Sequence, residues 1–178
     1  MIKAFYRFLL NLFGWKVFFY VPSEVKKYII AVAPHTSNFD FIIGVLVRGS
    51  LGLKASFLGK DSLFKFPWGI IFRKTGGIPV DRSKSSNMVD QIAKLITEND
   101  EFILAIAPEG TRKKVEKWRS GFYFIALKAK IPIIFATMDW RNHEVRFLDP
   151  FYPTGNFEED LIMIKNFFKG IKGYRTLN

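Results

Sequence analysis

The sequence predicts a single-domain α/β fold with a mixed, largely parallel sheet flanked by helices and an amphipathic helix at the N-terminus. Three observations predict it. Short β-branched apolar runs alternate with segments of helical length and spacing along the whole chain. No linker, internal repeat or low-complexity tract interrupts them, so the only division falls between an N-terminal helical segment, 1–21, and one domain over 22–178. With 178 residues, 49% of them hydrophobic and 24% charged, the chain is long enough for one packed core and lies far from the composition of disordered chains.

The elements follow in order. On a helix over residues 2–13, Lys3, Arg7 and Asn11 form one narrow polar stripe, with Gly14 beyond and everything else apolar. After the breaker Pro22, YIIAVAP (28–34) is a buried strand closed by proline. FDFIIGVLVRG (39–49) has helical length, and KASFLG (54–59) is a second strand. SLFKFPWGIIFRKTGG (62–77) is an apolar helical segment broken by Pro67 and closed by a glycine pair, and IPV (78–80) is a short strand leading into Asp81-Arg82. Ser85–Thr97 sets Met88, Ile92, Leu95 and Ile96 at helical spacing, and FILAIAP (102–108) is the strongest strand signal. GFYFIALKAK (121–130) is helical and IPIIFATMD (131–139) is a strand, with HEVRFLDP (143–150) its hairpin partner across Trp140–Asn142. Phe157–Ile171 is the last helix, started by Thr154-Gly155-Asn156.

Composition then narrows the chemistry. There is no Cys, which excludes disulfides, thiolate nucleophiles and Cys-bound metal, and imidazole chemistry must use His35 or His143. The 27 basic against 16 acidic residues give a net charge of +11, and 20 Phe, 6 Tyr and 4 Trp accompany it. That combination points to an anionic partner with an apolar part: nucleic acid, anionic membrane, or an acyl-carrying phosphate compound. Residues 1–90 carry 13 basic and 5 acidic side chains, so the anion-facing surface is expected mainly in the first half. Lys3, Arg7 and Lys16 leave the opening stretch without the roughly 20 apolar residues of a spanning helix, and no small-residue cleavage site follows it. Two readings of the first helix stay open, one lying in a membrane interface and the other docked on the protein's own core.

Three strands end in unusual polar sequences: His35-Thr-Ser-Asn-Phe-Asp40, Asp81-Arg82 and Glu109-Gly110-Thr111-Arg112. In α/β sheets ligands bind beyond the carboxyl ends of the strands, so three such endings mark one crevice. On one continuous helix His35 and Asp40 would lie about 140° apart. They can meet only if His35 sits on the loop after Pro34, Ser37 or Asn38 caps the helix, and Asp40 turns back from the first turn. That pair is a general base with its orienting carboxylate; the alternative is a loop histidine with Asp40 serving only the helix dipole. Ser37 lies in no G-x-S-x-G elbow, so the proton taken by His35 belongs to a substrate hydroxyl. Arg82 and Arg112 are the phosphate forks, with Lys60 a weaker third cation, and each reads otherwise as a solvated turn or basic loop. His143, in the turn after Trp140, reads as a solvated or capping residue.

H-T-S-N-F-D (35–40), G-G-I-P-V-D-R (76–82), P-E-G-T-R (108–112) and I-P-I-I-F (131–135) resemble, in order, the four motifs of the glycerolipid acyltransferases. This group includes 1-acyl-glycerol-3-phosphate acyltransferase. The resemblance implies a glycerol-3-phosphate acyltransferase-like fold and transfer of an acyl group from acyl-CoA or acyl-carrier protein to a lysophospholipid hydroxyl. It makes His35 the base and Asp40 its partner, and assigns acceptor binding to Arg82 and to Glu109, Gly110, Thr111 and Arg112. The Pro132-containing strand is expected to shape the acyl site. No metal and no cofactor beyond the acyl co-substrate is implied. The expected setting is peripheral, on an anionic membrane at its cytoplasmic face, with no nucleic-acid partner. Ala107 in place of an aromatic residue, Lys113 in place of Ser, and Phe-Ala after 131–134 without a second Pro depart from the usual pattern and leave the acceptor open. An amino-acid lipid is one alternative acceptor. Three rival functions remain beside this reading: a nucleic-acid-binding module, a non-catalytic binder of anionic lipid, and a hydrolase of the same thioester. The residues name no oxyanion donor beyond a backbone N–H near the helix start after His35.

Overall fold

The computed structural model describes residues 2–80, 88–113 and 115–176. The strands are β1 (Lys16–Phe18), β2 (Lys27–Ala33), β3 (Ala55–Lys60), β4 (Gly77–Val80), β5 (Phe102–Ile106), β6 (Ile133–Asp139) and β7 (Glu144–Phe147). The α-helices are α1 (Ile2–Leu12), α2 (Asn38–Leu51), α3 (Trp68–Lys74), α4 (Met88–Thr97), α5 (Gly121–Ala129) and α6 (Phe157–Phe167), with single 3-10 turns at Asp61–Phe64 and Tyr174–Thr176. The seven strands form one sheet in the order β1-β7-β6-β2-β5-β3-β4. From β6 to β4 all neighbours are parallel, while β7 runs antiparallel to β6 and carries β1 parallel to itself. The expected mixed, largely parallel sheet is therefore present.

Alternate residues of the central strands face opposite layers, as period-2 pleating requires. Ile29, Ala31, Ile133, Phe135 and Leu104 pack under α4, α5 and α6. Tyr28, Ile30, Ile134 and Ala136 point to the other face, where Ile43, Leu46 and Val47 of α2 join Leu10 of α1 and Trp15 in an adjoining cluster. α6 is pinned to α5 by a buried knot: Tyr123 Oη donates to Asp160 Oδ2 at 2.6 Å, and the Thr154 N–H donates to the same oxygen at 2.9 Å.

α1 is docked on the protein's own core, but through one face only. It packs along α2, with Leu10 buried and Tyr6 and Leu9 half-buried, and Tyr6 lies so close to Gly49 that a Cβ there would run into its ring. At 100° per residue a second, unpartnered face carries Phe5, Phe8 and Leu12, each about 60% exposed or more. The helix thus has three sectors: docked, apolar and exposed, and the Lys3/Arg7/Asn11 stripe.

Three elements differ from the sequence reading. β1 is an edge strand of only three residues that pairs with the four-residue β7, too brief to show a period of its own. α6 stops at Phe167, where Phe168 takes a non-helical conformation, and the segment ends in the 3-10 turn at Tyr174–Thr176. The segment 62–77 begins as a 3-10 turn rather than a helix, and α3 proper starts only after Pro67. Of the helix expected over Ser85–Thr97, the described part is Met88–Thr97; its first three residues lie outside the described residues.

Candidate active site

All five parallel strands end at one edge of the sheet, so the loops after β2, β3, β5 and β6 gather there. β2 lies between β5 and β6. That order brings three loops into contact: His35–Ser37 after β2, Glu109 after β5, and Trp140 after β6.

The meeting of His35 and Asp40 is a consequence of helix capping. Ser37, in extended backbone conformation, is the N-cap of α2, and its Oγ accepts the Phe39 N–H at 3.2 Å. Asp40, at the third helical position, reaches back to close a capping box in which Oδ2 accepts the Ser37 N–H at 2.7 Å and the Thr36 N–H at 2.6 Å. The same Oδ2 lies 3.2 Å from His35 Nδ1. Of the two caps the sequence allowed, Ser37 is used. The two roles weighed for Asp40 are not alternatives, because the carboxylate that caps the helix also holds the imidazole. Its side chain is 2% exposed and that of His35 27%. In the neutral ring a carboxylate partner favours the proton on Nδ1 and leaves the lone pair on Nε2.

Asp40 and Glu109 are two carboxyls whose surroundings push them apart. Burial works to raise Asp40, but hydrogen bonds from His35, from the Ser37 and Thr36 amides and from Trp140 outweigh it, and the group sits below its ordinary value. Burial raises Glu109 above its ordinary value, because the His35 N–H on Oε1, at 3.0 Å, compensates only part of it and Oε2 is buried with no partner among the described residues. Asp40 is therefore the ionised partner of the imidazole, and Glu109 fixes the backbone of His35 from the neighbouring loop.

Gly110 adopts φ +64°, and Arg119 fills the space where a side chain would be, since a Cβ would lie 2.6 Å from its Cδ. Thr111 Oγ1 accepts the Lys113 N–H, and Arg112 is exposed. Lys60 is exposed at the end of β3, two strands away from β2. Arg82 lies outside the described residues. The amides of His35, Thr36, Ser37 and Phe39 are all committed to side-chain acceptors, so the backbone donor expected near the helix start is none of these four. His143 is exposed in the β6–β7 turn at φ +51°, its ring stacked on Trp15 with centroids 5.4 Å apart, in keeping with a non-catalytic role. Trp140 was not singled out by sequence reasoning. Its indole donates to Asp40 Oδ1 at 2.7 Å from a hundred residues away, and no local pattern signals such a contact.

An imidazole oriented by a capping carboxylate at the carboxyl edge of a parallel sheet, with the nearby Ser37 hydroxyl engaged in the cap, is an arrangement chemically able to take a proton from a hydroxyl or water. The sequence model of the acyltransferase family matches residues 17–138, more than two thirds of the chain, and this protein belongs to that family. The resemblance carried by the four motifs holds. No curated protein sequence matches the chain significantly. Among solved structures, the crystal structure of the 1-acyl-sn-glycerophosphate (LPA) acyltransferase PlsC from Thermotoga maritima overlays with a TM-score of 0.64. The match covers 94% of this chain and 75% of that one at 16% sequence identity, a likeness of fold.

Proposed function

We propose that the protein moves a fatty acyl group from a thioester, acyl-CoA or acyl-carrier protein, to the free hydroxyl of a lysophospholipid, 1-acyl-glycerol-3-phosphate foremost. The observation that carries this is the capped His35–Asp40 pair in a chain of the acyltransferase family. His35 Nε2 takes the hydroxyl proton as the oxygen attacks the thioester carbonyl carbon. The tetrahedral oxyanion collapses to the ester, the C–S bond breaks, and the imidazolium gives its proton to the departing thiolate, releasing free thiol and restoring the neutral imidazole. Arg112, with Lys60 and Arg82, supplies the cations for the acceptor phosphate, and Gly110 and Thr111 shape the loop that presents Arg112. Glu109 serves the acceptor side through the His35 backbone.

Purified protein incubated with acyl-CoA and a panel of lysophosphatidate, other lysophospholipids and hydroxyacyl amino-acid lipids tests this reading by thiol release. Release is expected to depend on the acceptor and to be fastest with lysophosphatidate. Equal release with and without acceptor would make the protein a hydrolase, and none with any acceptor would overturn the proposal.

The working surface is a peripheral contact with the cytoplasmic face of an anionic membrane. Among the described residues no helix is long and apolar enough to cross a bilayer. Support comes from the unpartnered face of α1 and from a second apolar group at α3, where Phe66 is 87% and Trp68 65% exposed beside Lys65, Arg73 and Lys74. A Phe5→Ser/Phe8→Ser protein should retain its melting temperature and lose on the order of 100-fold or more in sedimentation with phosphatidylglycerol vesicles, since each Phe forfeits about 1.5 kcal/mol or more of burial. Undiminished partitioning would remove α1 from the contact.

A further inference from the structure

The Asp40 carboxylate has two oxygens, and their partners differ in kind. Oδ2 gathers His35 Nδ1 and the Thr36 and Ser37 amides, all from its own loop. Among the described residues Oδ1 receives one donor, the indole Nε1–H of Trp140 at 2.7 Å. A carboxylate anchored through one oxygen can still rotate about its Cβ–Cγ bond, which is a broad torsion. A short bond on the other oxygen fixes its plane, and with it the direction from which Oδ2 meets the imidazole.

The indole is itself held from three sides. Asp139, at the end of β6, accepts the Arg141 N–H at 3.0 Å and the Asn142 side-chain amide at 2.8 Å, and so shapes the turn that carries Trp140. The Trp140 backbone N–H donates to the Lys172 carbonyl at 2.8 Å. Its ring is met edge-on by Trp15 at 4.9 Å and by Tyr174 at 4.8 Å between centroids. Trp15 and Tyr174 belong to the segment after α1 and to the 3-10 turn near the C-terminus, so both ends of the described chain converge on one side chain.

We propose that Trp140, which lies beyond the segment matched by the family model, is a positioning residue of the reaction: its indole N–H orients the Asp40 carboxylate, and through it the His35 ring. The rival role is purely structural, a half-buried aromatic whose N–H has simply found an acceptor. The proposal rests on His35 acting as the base, and it separates from that reading experimentally.

Trp140→Phe keeps the aromatic packing and removes only the donor. Its kcat with acyl-CoA and the best acceptor should fall about tenfold or more, as loss of one hydrogen bond to a charged group implies, with both KM values within about twofold of wild type. In an Asp40→Ala background the same change should cost less than about twofold, because a residue acting through Asp40 has nothing left to orient. Wild-type kcat in Trp140→Phe, or the same loss in both backgrounds, overturns the proposal. The protein has only two histidines, so imidazole 1H–15N spectra give an independent readout: the His35 Nδ1–H resonance should move in Trp140→Phe while that of His143 shifts less. If wild-type protein consumed no thioester with any acceptor, the general-base reading would fail, and an unmoved His35 resonance would by itself overturn the positioning role.

Discussion

His35→Ala should lower acyl transfer by about 10²–10⁴-fold at saturating acceptor, the range that a positioned general base contributes. The acceptor KM should stay within about threefold, because the cations proposed for the phosphate, Lys60, Arg82 and Arg112, follow other strands in the sequence. The protein should fold normally, since the imidazole is partly exposed and Asp40 keeps three other donors on its two oxygens after the ring is gone. His35→Gln separates proton transfer from mere occupancy: its amide can donate toward Asp40 but has no basic nitrogen, so it should be as slow as His35→Ala. Steady-state thiol release, with thermal melts as the folding control, reads both variants. Either of them turning over near the wild-type rate would remove His35 from the chemistry.

Why the pair could be found without a structure is itself physical. A separation of five residues fails on a helix and works only across a helix start, and S-N-F-D (37–40) is a capping-box pattern with Asp in place of Glu or Gln. Motif and cap occupy the same four residues, so the local sequence contains the geometry. The buried strands were legible for a similar reason: β2 and β6 are covered on both faces and read as continuous apolar runs. What escaped was non-local. β1 exists because β7 offers it an edge, and the Trp140–Asp40 bond exists because β6 and β2 are neighbours, which strand order decides and residue spacing cannot. Glu109 shows the same limit. Its loop was recognised, yet its engagement with the His35 backbone depends on β5 lying beside β2.

Asp40→Asn should damage both stability and turnover, although it is the most conservative change available there. Among the described residues each carboxylate oxygen faces donors only, backbone amides and His35 on Oδ2 and the Trp140 indole on Oδ1. An asparagine must turn its NH2 toward one set or the other, so in either orientation a buried donor meets a donor. The change also removes an anion from the first turn of α2, where the helix dipole favours it. A loss of about 2–4 kcal/mol follows from these terms, a large share of the about 5–15 kcal/mol that stabilises a typical domain. The pH dependence carries the sign. Asp40 is lowered on folding, so its contribution is in full force above the ordinary carboxylate range near pH 4 and disappears as pH falls through its depressed folded value. Glu109 is raised, so it acts oppositely: its contribution is complete below that range and is lost as pH rises through its folded value. Urea unfolding of wild type and Asp40→Asn between pH 3 and pH 8 should therefore show the largest gap at neutral pH, closing toward the acid end as wild-type Asp40 protonates. A constant gap across that range would assign the loss to packing rather than to the ionised carboxylate. Turnover at neutral pH should drop by about 10²-fold or more even where the variant is fully folded, because an imidazole without its carboxylate loses both its tautomer and the charge that supports the imidazolium in the transition state.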